Sequence, residues 1–360
     1  KGSDRAIVRA GQKLLLWTMR WVNRAGDDFF TYTKRPKFSS QIIRQAEPED
    51  RAEPMAIVMQ GPIALNDMFT LETIRIYRDT LPGVRLILST WTDTPEADLA
   101  PIRAAGVEVV LSEKPAIPGL FNINMQLVSA GAGIRKAHAD GAEWILKTRT
   151  DQRLYRPNVM GFLAAMARTF PAGGGFAQKH RIIGVGHGSL KYAPYHVTDQ
   201  TVFGHADDML AYWTPDLRIA PPPEDWPQTL PEIYARIPID ELCRNGAAES
   251  YIAASYLDRI GRPLDWTLED SWAAYRDCFC FVDYATTDFF WSKVQTGTVR
   301  EFINRYDAIW TRNELTFADW MLLYSGQVIP EVARKYESAR DLRFMESITP
   351  DAVGPGTDPD

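Results

Sequence analysis

The sequence predicts an α/β fold with a mostly parallel central sheet flanked by helices. Short apolar runs recur at 55–63, 84–91, 107–113 and 143–151, each the length of one buried strand. Stretches of helical periodicity lie between them, at 66–82, 94–106 and 121–142. Strands that alternate with helices at this spacing form parallel sheets covered on both faces, joined by right-handed crossovers.

Ahead of the first strand, residues 1–45 hold ten Lys/Arg against three acids, which puts that stretch at +7 and the remainder at -13. On a helix over 5–24, Arg5, Arg9, Lys13, Arg20 and Arg24 share one stripe, and Ile7, Val8, Leu14, Leu15, Met19, Trp21 and Val22 oppose it. Such a helix suits an anionic membrane surface. A helix half-buried on the body of the protein has the same pattern.

The first strand, "MAIVMQGPI", is stopped by Gly-Pro. The helix over 66–82 is expected to be capped by Asn66 or Asp67 and ended by Pro82. "VRLILSTW" and "VEVVLSE" are the second and third strands, separated by a short helix that ends at Gly106. A longer helix then leads into "EWILKTRTD", the fourth strand. After 151 the pattern becomes mixed α+β: a helix over 156–169, glycine-rich strands or loops over 173–192, a strand running into a helix over 196–213, a Pro-rich irregular segment over 220–231, and a helix over 247–261. Residues 285–325 read as mixed helical, and 349–360 as disordered.

The bulk numbers exclude several classes. A net charge of -6 argues against a nucleic-acid partner. Three cysteines (Cys243, Cys278, Cys280) form no disulfide framework and suit a reducing, cytoplasmic compartment. Five histidines make no zinc pattern, no run is long enough to span a bilayer, and no secretory signal is visible. No GxGxxG follows the first strand, which disfavours a dinucleotide fold.

In parallel α/β sheets, ligands bind beyond the carboxyl ends of the strands. The residues there are Gln60-Gly61-Pro62, Ser89-Thr90-Trp91, Ser112-Glu113-Lys114 and Arg149-Thr150-Asp151. The last group belongs to "KTRTDQR", in which Lys147, Arg149, Asp151 and Arg153 alternate.

"IVMQGPI", "RLILSTW", "GLFNINMQLVSAGAGIRKAHADGAEWILKTRTDQR" and "TDQTVFGHADDM" resemble the WavE family of bacterial lipopolysaccharide-synthesis proteins. The resemblance covers roughly 55–260 and is strongest over 119–153. It implies a GT-A-like glycosyltransferase fold and a role in building lipopolysaccharide or surface polysaccharide. With the sequence pattern outside it, the chain is expected to divide into an amphipathic basic segment (1–50), a GT-A-like catalytic domain (51–285, donor half 51–155 and acceptor half 156–285), a helical C-terminal region (286–348) and a disordered tail (349–360). GT-A enzymes usually hold a divalent cation on an Asp-x-Asp after the fourth strand. The matching triplet here, Arg149-Thr150-Asp151, carries only the second acid. Asp151 is thus the candidate metal ligand for Mg²⁺ or Mn²⁺, with phosphates and water completing the octahedron.

Transfer from a nucleotide sugar needs positive charge at the departing phosphate and a base for the acceptor hydroxyl. Arg149 can bind phosphate through its planar fork and stand in part for the cation. An ion pair between Asp151 and Arg149 or Arg153 is the structural alternative. Lys147, deeper in the strand, reads as structural. Gln60, Gly61 and Pro62 can meet the base or ribose, and Trp91 can supply a stacking face or simply pack. Asn122, Asn124 and Gln126 can reach donor hydroxyls or phosphates, although Asn122 alone reads as an N-cap. Glu249, in the first turn of its helix, is the candidate base, kept ionised by the helix N-terminus. Asp240 and Glu241 are its alternatives. His196 and Asp199 open a strand on the acceptor side.

The leading expectation is a glycosyltransferase, with inversion as the provisional mechanism. It uses a nucleotide sugar and a glycan or lipid-linked glycan acceptor, and is peripheral on the inner face of the cytoplasmic membrane. A non-catalytic sugar-nucleotide or polysaccharide-binding module is one alternative. A sugar-phosphate transferase is the other.

Overall fold

A computed structural model describes residues 2–26, 33–42, 53–293 and 314–327. The chain divides into two compact units, 1–42 and 43–360.

In the first unit, α1 (Gly2–Ala25) is a single helix. Ile7, Val8, Leu14, Leu15, Trp17 and Trp21 are all exposed on it. Among the described residues no helix is long and apolar enough to cross a membrane.

The second unit is built on a seven-stranded sheet: β1 (Met55–Gln60), β2 (Arg85–Trp91), β3 (Glu108–Ser112), β4 (Trp144–Arg149), β6 (Ile182–Val185), β7 (Thr201–His205) and β8 (Phe279–Val282). Their order is β3-β2-β1-β4-β7-β6-β8, with β7 antiparallel to both neighbours and every other pairing parallel. β5 (Gln152–Leu154) leaves this sheet and pairs antiparallel with β9 (Phe289–Trp291).

β1 and the Trp144–Thr148 part of β4 are buried throughout, as strands covered on both faces must be. The helices α2 (Phe69–Thr80), α3 (Glu96–Ala104) and α4 (Ile123–Ala139) fall where the periodicity predicts them. α4 lies against β1 and β2, and small residues let it come close. A Cβ built on Gly133 would fall 2.5 Å from Val58 Cγ1 and 2.9 Å from Ser89 Cβ.

The chain after residue 155 adds α5 (Val159–Thr169), α6 (Ala206–Trp213), α7 (Leu230–Arg236), α8 (Ile239–Asn245), α9 (Ala248–Arg259) and α10 (Leu268–Cys278). From the sequence pattern no separate element is expected at β5, α7, α8, α10, β8 or β9. In the C-terminal region the described helix is α11 (Phe317–Tyr324). Residues 286–291, expected to be helical, instead form a turn and β9, because that strand pairs with β5. Residues 294–313, 328–348 and the tail 349–360 lie outside the described residues. The three cysteines are free and buried.

Two helix starts differ from expectation for the same reason. Neither Asn66 nor Asp67 caps α2, and Asn122 makes no side-chain capping bond at the start of α4. In both places a short 3₁₀ turn precedes the helix with left-handed residues, Asp67-Met68 and Phe121-Asn122. Tertiary contacts fix them instead. The Thr70 hydroxyl donates to Thr150 O (2.9 Å) and accepts from Ala64 N (2.8 Å), tying the start of α2 to the end of β4.

Candidate active site

Register sets the rim. Gln60 on β1 pairs with Ser89 on β2 and with Arg149 on β4, so all three stand at one level where the parallel strands end. Gly61 turns away at φ +117°, a conformation that favours glycine. Its N–H donates to Ser89 O (3.0 Å), and Thr150 N–H donates to Gln60 O (3.1 Å). β7 runs the opposite way, so its first residues reach the same edge.

The alternating charges of "KTRTDQR" part company because the strand breaks after Arg149. Lys147 is fully buried in β4. Its Nζ donates to Asp199 O (2.5 Å) and Gln200 O (3.2 Å) and lies 4.4 Å over the Trp213 ring. Burial lowers its pKa to about 7. Arg153, on β5, swings under α2, where it donates to Thr73 Oγ1 (2.8 Å) and Phe69 O (3.1 Å). Arg149 and Asp151 alone of the four remain at the rim, partly exposed.

Arg149 and Asp151 are joined by a two-point fork, Nε to Oδ1 at 2.9 Å and Nη2 to Oδ2 at 3.1 Å. Trp291 Nε1 also donates to Asp151 Oδ2 (3.1 Å), and Lys293 Nζ stands 3.8 Å from that oxygen. Burial alone would raise the Asp151 pKa. The bonds and charge of Arg149, with Trp291 and Lys293, hold it below the ordinary carboxylate value instead. Burial also opposes the charge on Arg149, which the bonds and charge of Asp151, and the charge of Asp199, outweigh. Trp291 and Lys293 come from β9 and the turn after it, about 140 residues further along the chain. Apart from the β-forming triplet "FFW", nothing in the local sequence announces them.

The second cluster comprises His196, Asp199 and Glu249. His196 is buried and its Nδ1–H donates to Gly188 O (2.9 Å), which turns Nε2 toward Glu249 Oε2, 3.7 Å away. Burial lowers the His196 pKa to about 4, so the ring is neutral. Glu249 stands in the first turn of α9 with 27 % of its side chain exposed. Burial, then the Asp199 charge, pushes its pKa up to about 8. The helix N-terminus is therefore outweighed, and the carboxyl is protonated at neutral pH rather than kept ionised. His196 and Asp199 both precede β7, which begins only at Thr201, rather than opening the strand. Glu241 accepts from Trp226 Nε1 (2.7 Å), and Asp240 Oδ1 accepts from Glu241 N (2.8 Å).

The two clusters meet through one hydrogen-bonded seam. Gln152 Nε2 donates to Gln200 Oε1 (2.8 Å), and Thr201 Oγ1 bonds Gln152 Oε1 (3.1 Å) and Thr148 Oγ1 (3.1 Å). Gln152 adjoins Asp151, and Gln200 adjoins Asp199.

The remaining candidates occupy varied positions. Gln60 is buried, with Nε2 on Ser129 Oγ (2.9 Å) and no partner for Oε1. Gly61 is buried and Pro62 exposed at the turn. Trp91 is packed, with 6 % exposure. Asn122 is exposed and Gln126 half-buried. Asn124 is a latch: Nδ2 donates to Ile117 O (2.9 Å) and Arg218 O (2.9 Å), and Oδ1 accepts from Arg218 N (2.8 Å). Its amide holds two loops together and has little left for a ligand. Next to it, Phe121 stacks on Tyr234 (5.4 Å) over a cluster of Trp226, Ile233, Ile237 and Leu242.

A resident divalent cation does not suit this donor set. Mg²⁺ needs near-octahedral oxygen at short range. Both oxygens of Asp151 are taken by nitrogen donors, and among the described residues no group of three His, Cys, Asp or Glu side chains could hold a metal ion.

Residues 55–222 match the family described as WavE lipopolysaccharide synthesis. That span includes Arg149, Asp151, His196 and Asp199 and ends before Glu249, Trp291 and Lys293. No curated protein matches the chain. Among the solved structures that match is one described as a mannose-1-phosphate geranyltransferase from Thermus thermophilus. It is 15 % identical, with 45 % of this chain and 53 % of that chain covered and a TM-score of 0.26. The match spans about half the length of that protein.

Proposed function

We propose that this protein is a transferase of lipopolysaccharide synthesis, and that it moves a sugar from a nucleotide-sugar donor onto a lipopolysaccharide or surface-polysaccharide acceptor. The observation that carries this reading is the pairing on one rim of a cationic site, Arg149 with Lys293 around Asp151, and a proton-handling site, Glu249 with His196 and Asp199. The match to the WavE family supports it, as does a sheet in which one antiparallel strand interrupts an otherwise parallel order, in keeping with a GT-A-like fold.

The reaction follows from the two sites. The acceptor hydroxyl oxygen attacks the donor's anomeric carbon and forms the new glycosidic bond. The bond from that carbon to the phosphate oxygen breaks, and its electron pair leaves with the nucleotide, whose growing charge Arg149 and Lys293 offset. Glu249, once ionised, takes the hydroxyl proton, with His196 Nε2 beside it to orient the hydroxyl. Attack opposite the leaving group inverts the anomeric centre. The exposed apolar residues and basic stripe of α1 support a peripheral site on an anionic membrane surface on the cytoplasmic side.

A thermal-shift screen against UDP-, GDP-, CMP- and ADP-sugars tests donor use, since specific binding stabilises by RT ln(1 + [L]/Kd). One nucleotide class raises Tm, and free nucleotide then appears on incubation. The Glu249→Gln protein keeps the shift and loses the release. A screen with no shift and no released nucleotide refutes the reading. Phosphorus retained in the product would replace it with sugar-phosphate transfer.

A further inference from the structure

The surroundings of Asp151 are those of a carboxylate held as a counter-ion. Antiparallel pairing of β5 with β9 sets Gln152 opposite Trp291, and Ser292 N–H donates to Asp151 O at 2.9 Å. Backbone bonds thereby bring Trp291 and Lys293 to Asp151. Both cations also lie near the Trp291 ring, the Arg149 guanidinium 5.6 Å from its centroid and Lys293 Nζ at 5.2 Å. Both cations thus meet the same carboxylate at a partly open rim. Burial and the Arg149 charge lower the Lys293 pKa, against the pull of Asp151. A second anion there relieves that repulsion. A diphosphate offers more acceptor oxygens than a carboxylate, and a guanidinium fork binds either.

We propose that Arg149 and Lys293 bind the donor's diphosphate, that Asp151 is the resident counter-ion it displaces, and that donor binding needs no divalent cation. This rests on the protein using nucleotide-sugar donors. On binding, the Arg149 fork transfers from Asp151 to phosphate oxygens, Lys293 closes on the same group, and Asp151 keeps the Trp291 N–H. No covalent bond changes in this step. The positive charge that an Asp-x-Asp site would recruit as a metal is supplied by residues 149 and 293.

The test is calorimetric titration of the full chain with inorganic pyrophosphate and with UDP, GDP, ADP and CDP, all in EDTA. Pyrophosphate and one nucleoside diphosphate bind without added metal. Arg149→Met and Lys293→Met each weaken binding roughly tenfold, the effect of one charge-assisted contact. Asp151→Asn, which preserves shape and the bond from Trp291, tightens binding roughly threefold because a competing anion is gone. A metal ligand behaves in the opposite sense. Binding that appears only on adding Mn²⁺ or Mg²⁺, or an Asp151→Asn protein that binds no tighter than wild type, overturns the proposal and leaves nucleotide-sugar use standing. No binding of any nucleoside diphosphate with or without metal overturns both. The EDTA titration of the wild-type protein decides the metal question even if a variant fails to fold.

Discussion

Replacing Glu249 by Gln should make the protein more stable at alkaline pH, and less so as the pH falls. The carboxyl titrates at about 8 in the folded protein against an ordinary 4.5. Below the ordinary value both folded and unfolded chains hold the proton, and burial costs nothing extra. As pH rises from there, the unfolded chain sheds the proton while the folded chain keeps it, and stability falls until the folded carboxyl has ionised. At 1.36 kcal/mol per pKa unit the full loss is bounded at about 5 kcal/mol. With 27 % of the side chain open to water and the charge shared with Asp199, about 2 kcal/mol is the working figure. Gln mimics the protonated acid and removes the loss. Urea unfolding at pH 5, 6, 7, 8 and 9 measures it. The two proteins should agree at pH 5 within about 0.5 kcal/mol, and the variant should lead by about 2 kcal/mol at pH 9. A pH-independent gap, or a wild type that gains on the variant as pH rises, refutes the burial account. In wild type, nucleotide release should climb as pH passes through about 8.

Further expectations concern the scaffold and the first unit. Gly133→Ala gains about 1 kcal/mol of helix propensity but drives a methyl into Val58 and Ser89, and overpacking costs about 1–3 kcal/mol. Its Tm should therefore fall, and a rise would show that α4 can lift from the sheet. Asn124→Ala strips partners from Ile117 O and from both backbone groups of Arg218 and should cost about 1–3 kcal/mol. Hydrogen exchange of the Arg218 amide should quicken more than that of Leu146; equal protection would deny the latch. A peptide of residues 1–26 should float with vesicles of phosphatidylcholine and phosphatidylglycerol but not with phosphatidylcholine alone. The binding should weaken at about 0.5 M salt, and salt-insensitive binding would rule out the basic stripe.

The parallel half of the sheet was legible because buried strands and amphipathic helices write their periods into consecutive residues. Arg149 and Asp151 were legible for the related reason that strand ends in such sheets make a rim. Three things were not. The common side suggested by Lys147, Arg149, Asp151 and Arg153 dissolves because β5 leaves the main sheet, a choice made by its pairing with β9. The protonation of Glu249 depends on Asp199, 50 positions away, and on how deeply α9 is seated, neither of which a first-turn acid reveals. Asn124 sits among three amides that look alike in sequence, and only the approach of Arg218 separates a latch from a ligand.

The pairing of β5 with β9 also bears on the order in which the protein is made. Translation delivers Arg149 and Asp151 while Trp291 and Lys293 are still unsynthesised, and the wall that holds them against Asp151 closes only when β9 emerges. A nascent chain released at residue 285 would carry all seven strands of the main sheet and the Glu249 helix yet lack Trp291 and Lys293 beside Asp151. Such a chain would keep the Arg149 fork on Asp151 while missing the wall that β9 supplies.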